Sequence, residues 1–299
     1  MAGAGAHAAD VAGVTRPADG YSADEVPALL ALAVYALAYG WRARTLARRG
    51  RAVPARRVGC FAAGLLVLAG TVLSPLARLD DERLALHMLE HLLIGEVAAL
   101  LLVLGLTGPL LAPLLRLPGL GRLRALAHPA VAFALWAATL WLWHLGVLFE
   151  LALHHELVHG LQHTCFLLAG MALWMPLFGP FPKPEWFAPP AQIVYVLTFW
   201  LTGAALGNLF AWSSTALYAS YPRLADESAA GAVMLVEEGT LALALLAWLA
   251  LRWIREAGER QELAELAAAA GVALDERRLA RAVTAGRGAE LRRRLATHR

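Results

Sequence analysis

The chain has 299 residues, of which 59% are hydrophobic and only 16% charged, with a formal net charge of +3. A soluble domain of this length carries about a quarter charged residues, so this composition excludes an ordinary water-soluble globule. The basic residues gather in particular loops, which records membrane orientation and gives no case for nucleic-acid binding.

Several apolar runs approach or exceed the roughly 20 residues that cross a bilayer as a helix. Residues 1–25 are small and polar, lack the basic and apolar regions of a signal peptide, and are expected to form a flexible tail. The first span is expected over residues 26–41, with Tyr35, Tyr39 and Trp41 as interfacial anchors. An arginine-rich loop containing Arg42, Arg44, Arg48, Arg49, Arg51, Arg56 and Arg57 follows. The second span is expected over 58–76 and is followed by the acidic connection Asp80, Asp81 and Glu82. The third, over 84–106, carries His87 and His91 at its start; its exit contains Arg116, Arg122 and Arg124 among several prolines. The fourth, over 129–149, contains Trp141, Trp143 and His144. A short turn leads to the fifth, over 155–178, which opens on His155, His159 and His163. A proline-rich loop with Lys183 precedes the sixth span at 191–212. The seventh, at 229–253, follows a loop holding Tyr218, Tyr221 and Asp226. Residues 255–299 are charged and helix-prone, and read as a solvated or interfacial cytoplasmic helix. The domains are therefore a tail (1–25), a membrane domain (26–254) and a helical tail (255–299). Cys60 and Cys165 lie in apolar runs and read as buried small hydrophobes.

The arginines set the orientation. The first and third loops and the C-terminal tail are basic, which makes them cytoplasmic. The expected fold is thus an all-α, polytopic transmembrane bundle of seven spans, with the N-terminus outside and the C-terminus cytoplasmic. Ala, Leu and Arg abundance suits a high-GC bacterial genome, and the bacterial plasma membrane is the expected location.

This topology turns the histidines into a layer. Positions four apart share a helix face, so His87 pairs with His91, and His155, His159 and His163 form a row. At 1.5 Å per residue, His91 and His163 lie roughly 10 Å below the outer boundary, with His144 at a similar depth. Ionisable groups at such depth are costly and face a bundle interior or cavity. His87, His91, His144, His159 and His163 are therefore the candidate metal ligands. Met88, Met234, Glu237 and His155 are possible additional ligands or partners of the ligands. His155 is placed at the mouth. Glu96 lies near mid-membrane, and the adjacency of Glu237 and Glu238 argues that they cannot both face one partner. Neutral imidazole suits copper, zinc, iron and nickel, and the thioethers tilt the choice towards Cu(I). A haem held between histidines of different spans and a metal or proton pathway are the alternatives. The GxSxG and GxxxxGK[ST] patterns of hydrolases and phosphate-binding loops do not occur, and no catalytic residue is assigned.

These blocks resemble a known family. His87-Met-x-x-His91, Trp141-x-Trp143-His144 and the run from Val158-His159-x-x-x-His163 through Phe166 to Trp174-Met-Pro-Leu resemble the CtaG-type, multispan assembly factors of caa3-type cytochrome c oxidases. So do Leu217-Tyr218, Tyr221, Asp226 and the segment Ala230-Gly231-Ala232-Val233-Met234. The resemblance covers about residues 26–255. It departs where the family tends to have a proline in the third span, glutamine after the aspartate (here Glu227), and apolar sequence at Glu237 and Glu238. It implies a membrane-integral assembly factor without turnover chemistry. It further implies delivery of copper to outward-facing centres of the oxidase, with oxidase subunits or copper chaperones and the lipid bilayer as partners.

Overall fold

The structure is a computed structural model that describes residues 25–73, 83–284 and 286–296, and every regular element among them is helical. The N-terminal tail, apart from Glu25, and the acidic connection at 80–82 fall outside the described residues. The helices are α1 (Glu25–Arg48), α2 (Ala55–Leu73), α3 (Leu84–Gly105), α4 (Pro129–Trp143), α5 (Gly146–His154), α6 (Glu156–Phe178), α7 (Pro189–Trp212), α8 (Leu224–Ala269), α9 (Glu276–Thr284) and α10 (Gly288–Ala296). Short helical turns Gly108–Leu111, Leu114–Arg116 and Leu120–Ala127 link α3 to α4.

Against the expectation of seven spans, four helices (α3, α6, α7 and α8) are long and apolar enough to cross a membrane. A fifth candidate is the pair Leu120–Ala127 and α4, bent by 97°. The outer surface is apolar as well as the core: Leu157 and Leu161 of α6, Leu201 of α7 and Leu243 of α8 are all exposed. Such surface is tolerated where the surrounding solvent is lipid.

Helix α3 lies at the centre. It packs against α2, α6 and α8, and 67% of its most apolar window is buried. Both ends are tied down by other elements. At the N-terminus no side chain from the flanking residue caps the helix; instead Asp226 of α8 accepts the Leu84 N–H at 2.7 Å and the Ala85 N–H at 3.4 Å. At the C-terminus the Arg57 guanidinium of α2 donates to Leu104 O and Leu106 O, and Tyr39 Oη donates to Gly105 O. A carboxylate at the positive end and a guanidinium at the negative end both complement the helix dipole.

Between its ends α3 is not one uniform helix. Residues Leu93–Ala98 form a π segment, a wide turn that often accompanies functional sites. Here it coincides with a backbone-to-backbone crossing. A Cβ added to Gly170 of α6 would run into Gly95 O of α3. Small residues at such a crossing let membrane helices approach closely. Trp174 Nε1 donates to Glu96 O in the π segment at 3.1 Å.

The structure corrects one boundary and adds detail to the last helix and the tail. The fourth span does not continue to residue 149: α4 stops at Trp143, His144 leaves the helical region, and a separate helix α5 occupies what reads as a turn. The His144 ring contributes to the break by bonding Leu140 O, four residues back. The helix that carries the expected seventh span, α8, runs unbroken on to Ala269 and turns at Gly271, whose φ of +66° suits glycine. Finally, the tail is more than one solvated helix. Leu263 and Ala267 of α8 pack with Leu279 and Val283 of α9 and Leu295 of α10 in a small core of their own.

Candidate metal centre

Three helices supply the imidazoles. His87 and His91 stand one turn apart on α3, His159 and His163 one turn apart on α6, and His144 at the end of α4. The Gly95–Gly170 crossing sets α3 and α6 close enough for the two pairs to meet. Ring centroids lie 4.3 Å apart for His87 and His91, 4.2 Å for His159 and His163, and 5.2 Å for His91 and His163. His144 is 6.3 Å from His91. Donor atoms of His87, His91 and His159 all lie within 4.8 Å of one another. Two nitrogens each about 2.0 Å from one ion sit at most about 4 Å apart, so ligation needs less than about 1 Å of further approach.

The nitrogens are available for it. His87 Nε2, both ring nitrogens of His91, His144 Nε2 and His163 Nε2 are buried without a hydrogen-bond partner among the described residues. One such orphan costs about 1–3 kcal/mol, and a cluster of them calls for an explanation such as an ion. His144 is oriented for the task. Its Nδ1 lies 2.7 Å from Leu140 O, a carbonyl that can only accept, so Nδ1 carries the proton and the neutral ring turns its Nε2 lone pair inward. A backbone carbonyl on the second ring nitrogen is the usual way a ligand histidine is fixed. Phe149 and Phe166 pack against the rings, 5.2 Å from His87 and 4.7 Å from His91, and exclude water from the cluster.

Beside the rings is a cavity of about 30 Å³ bordered by Met88, His91, Glu96, His144, Met234 and Glu238. Both methionines singled out from the sequence therefore reach the same space as His91 and His144. Two other candidates do not. His155 occupies the N-cap position of α6 without a side-chain capping bond and is exposed, at the entrance to the row. Glu237 meets Glu96 in a carboxyl–carboxyl hydrogen bond and is not a wall of this cavity. The carboxyl that does border it is Glu238, 1% exposed, with both oxygens unpartnered among the described residues. Gly203 of α7 makes room for it, since a Cβ there would strike both Glu238 oxygens. Glu237 and Glu238 thus meet different partners, Glu96 for the one and the space at Gly203 for the other.

A loop that sequence reasoning treated as a connection holds the site together. Between α7 and α8, Tyr218 Oη donates to His144 O at 2.9 Å and stacks on Phe149 at 3.8 Å. Ser220 donates through its amide and hydroxyl to the Glu150 carboxylate of α5. Burial raises the Glu150 carboxyl; the Ser220 bonds, the Ala219 amide and nearby His154 outweigh it and hold the group below the usual carboxylate range. Glu227 accepts the Leu217 N–H and closes the loop on itself. With Asp226 on α3, the loop grips each of the segments that carry His87, His144 and the approach to α6. Tyr218 and Asp226 were visible as members of a sequence block, but nothing local assigned them partners. Gln162, completely buried beside His163 with both amide atoms unpartnered among the described residues, also escaped notice.

The uncharacterized protein Mb0105 of Mycobacterium bovis is 26% identical over 178 residues, covering 54% of this chain and 27% of that protein. The uncharacterized protein MT0111 of Mycobacterium tuberculosis matches to the same extent. The aligned stretch thus spans about a quarter of the length of these curated relatives. No solved structure matches the chain. A family model described as cytochrome c oxidase caa3 assembly factor (Caa3_CtaG) matches residues 37–256, which include all five clustered histidines, both methionines and the clamping loop. The chain belongs to the caa3 cytochrome c oxidase assembly factor family.

Proposed function

We propose that this protein is a multi-pass component of a bacterial plasma membrane that holds copper in the histidine cluster and passes it to a cytochrome c oxidase or a partner chaperone. In this reading seven segments cross the bilayer, the N-terminus lies outside, the C-terminal helices are cytoplasmic, and the protein performs no turnover chemistry. The observation that carries the proposal is the meeting of His87, His91 and His159 donor atoms within 4.8 Å. Buried, unpartnered nitrogens of His144 and His163 stand beside them.

The chain's own residues suit this cargo. Neutral imidazoles bind copper among the late first-row metals, and the thioethers of Met88 and Met234 favour Cu(I). His144 enters in a fixed tautomer. His155, exposed one turn above His159, is the first donor an arriving or departing ion meets. The cavity of about 30 Å³ favours a single ion over a macrocycle, since small-molecule sites start at about 300 Å³.

The test is metal analysis of the purified full chain. It is loaded with Cu(I) under reducing conditions and competed with a chromophoric chelator. The parent is expected to retain copper stoichiometrically, and His91→Ala and His159→Ala to lose it. Unchanged stoichiometric copper in both variants would overturn the site. A Soret band in the purified protein would favour the haem alternative.

A further inference from the structure

We infer that a second site, at the opposite end of α3 from the histidines, binds the phosphate of an anionic phospholipid headgroup. Just beyond the C-terminus of α3 lies a cavity of about 600 Å³ into which Arg42, Arg49, Arg51 and Arg116 converge. No carboxylate lines it, and among the described residues none of these four arginines forms an ion pair. Arg42 is anchored by donating from one Nη to Pro109 O at 2.9 Å, while its Nε is buried without an acceptor.

Topology accounts for arginines in these loops; it does not account for their convergence. Arg42 comes from α1 and Arg49 and Arg51 from just beyond it, whereas Arg116 comes from the link between α3 and α4. Four arginines lining one open cavity with no carboxylate among them leave positive charge that an anion would offset. Guanidinium forks match phosphate oxygens in pairs, and basic pockets between membrane helices on the cytoplasmic side take lipid headgroups.

The neighbouring cavity favours a lipid as the carrier of that phosphate. It measures about 500 Å³, shares Gly108, Ala112 and Arg116 with the first, and is otherwise walled largely by apolar residues including Leu115 and Phe181. Headgroup phosphate against the arginines and glycerol ester against this wall is the arrangement the two cavities accommodate together. The inference rests on the membrane-spanning reading proposed above and is independent of copper.

The experiment uses the full chain in detergent, with native mass spectrometry to count bound lipid. The probes are dioleoylphosphatidylglycerol, dioleoylphosphatidylcholine and inorganic phosphate. Phosphatidylglycerol is expected to be retained about tenfold more strongly than phosphatidylcholine. Each arginine near an anionic surface is worth about 1 kcal/mol, or about fivefold. Arg42→Gln/Arg116→Gln is therefore expected to lose roughly 25-fold. Arg44→Gln, which removes one charge from α1 outside the cavity, is expected to lose little of the fivefold that a cavity arginine costs. Displacement by millimolar phosphate identifies the phosphate as what is recognised; failure to displace identifies the apolar wall as part of the site. Equal retention of the two lipids, or parent-like retention in the double variant, overturns the proposal. If the double variant does not fold, Arg116→Gln alone, on an exposed link, keeps the test open with an expected fivefold loss. Copper stoichiometry is measured on the same samples and is expected to be unchanged, so failure of one site is distinguishable from failure of the other.

Discussion

Asp226 offers the sharpest test of how the histidine site is held. It caps α3 from 142 residues away in sequence, accepting the first two amides of the helix at 2.7 and 3.4 Å. The helix's own flanking residue, Arg83, offers no side-chain cap. Removing an N-cap acceptor costs about 0.5–2 kcal/mol, and removing a negative charge from a helix N-terminus costs about 0.3–1 kcal/mol more. Asp226→Ala is therefore expected to destabilise by about 1–3 kcal/mol. Asp226→Asn keeps one acceptor and loses the charge, so it should cost about 0.3–1 kcal/mol. Because His87 lies in the first turn of α3, the loss should appear twice: as a lower apparent Tm in detergent, and as faster release of Cu(I) to a chelator. The order should be Ala worse than Asn worse than parent in both measurements. Parent-like values for Asp226→Ala in both would refute the idea that this carboxylate positions the helix.

Three further outcomes follow from the packing. Gly170→Ala drives a Cβ into Gly95 O and should destabilise by at least about 1–3 kcal/mol, as overpacking does, with copper retention falling alongside Tm; parent-like behaviour would mean the crossing is not close. Arg57→Gln removes the charged partner of the carbonyls at the far end of α3 and should lower Tm by the equivalent of about 1–2 kcal/mol, while leaving copper stoichiometry intact. Lys183 titrates outside the spans: burial, with Arg252 nearby, brings its ammonium down to about 8. Since the unfolded lysine stays protonated to about 10.4, the unfolded chain binds more protons between these values. Lys183's contribution therefore makes stability rise as pH goes from about 8 to 10.4, and Lys183→Met should flatten that slope in pH-dependent thermal unfolding.

The histidine layer was legible because i, i+4 spacing survives any helix packing, and because imidazoles deep in apolar runs are scarce enough to stand out. What the sequence hid is tertiary. The π segment at Leu93–Ala98 lies where α3 meets Gly170, a residue 75 positions beyond Gly95. The break at His144 is invisible in an unbroken apolar run, because it arises from a ring bonding its own helix and a carbonyl taken by Tyr218. Adjacent acids diverge by about 100° on an ideal helix, which argued against Glu237 and Glu238 sharing a neighbour. Which partners they take, Glu96 for Glu237 and the space at Gly203 for Glu238, is something no one-dimensional argument supplies.

The Asp226 cap also has a consequence for biosynthesis. The amides of Leu84 and Ala85 wait for an acceptor that is 142 residues further along the chain. At synthesis rates of about 5–20 residues per second, that interval is roughly 7–28 s. During it α3 already carries His87 and His91, α6 later brings His159 and His163, and the cap holding the first helix in place has yet to emerge. The histidine cluster is therefore braced at the start of α3 only once the last long helix begins to emerge.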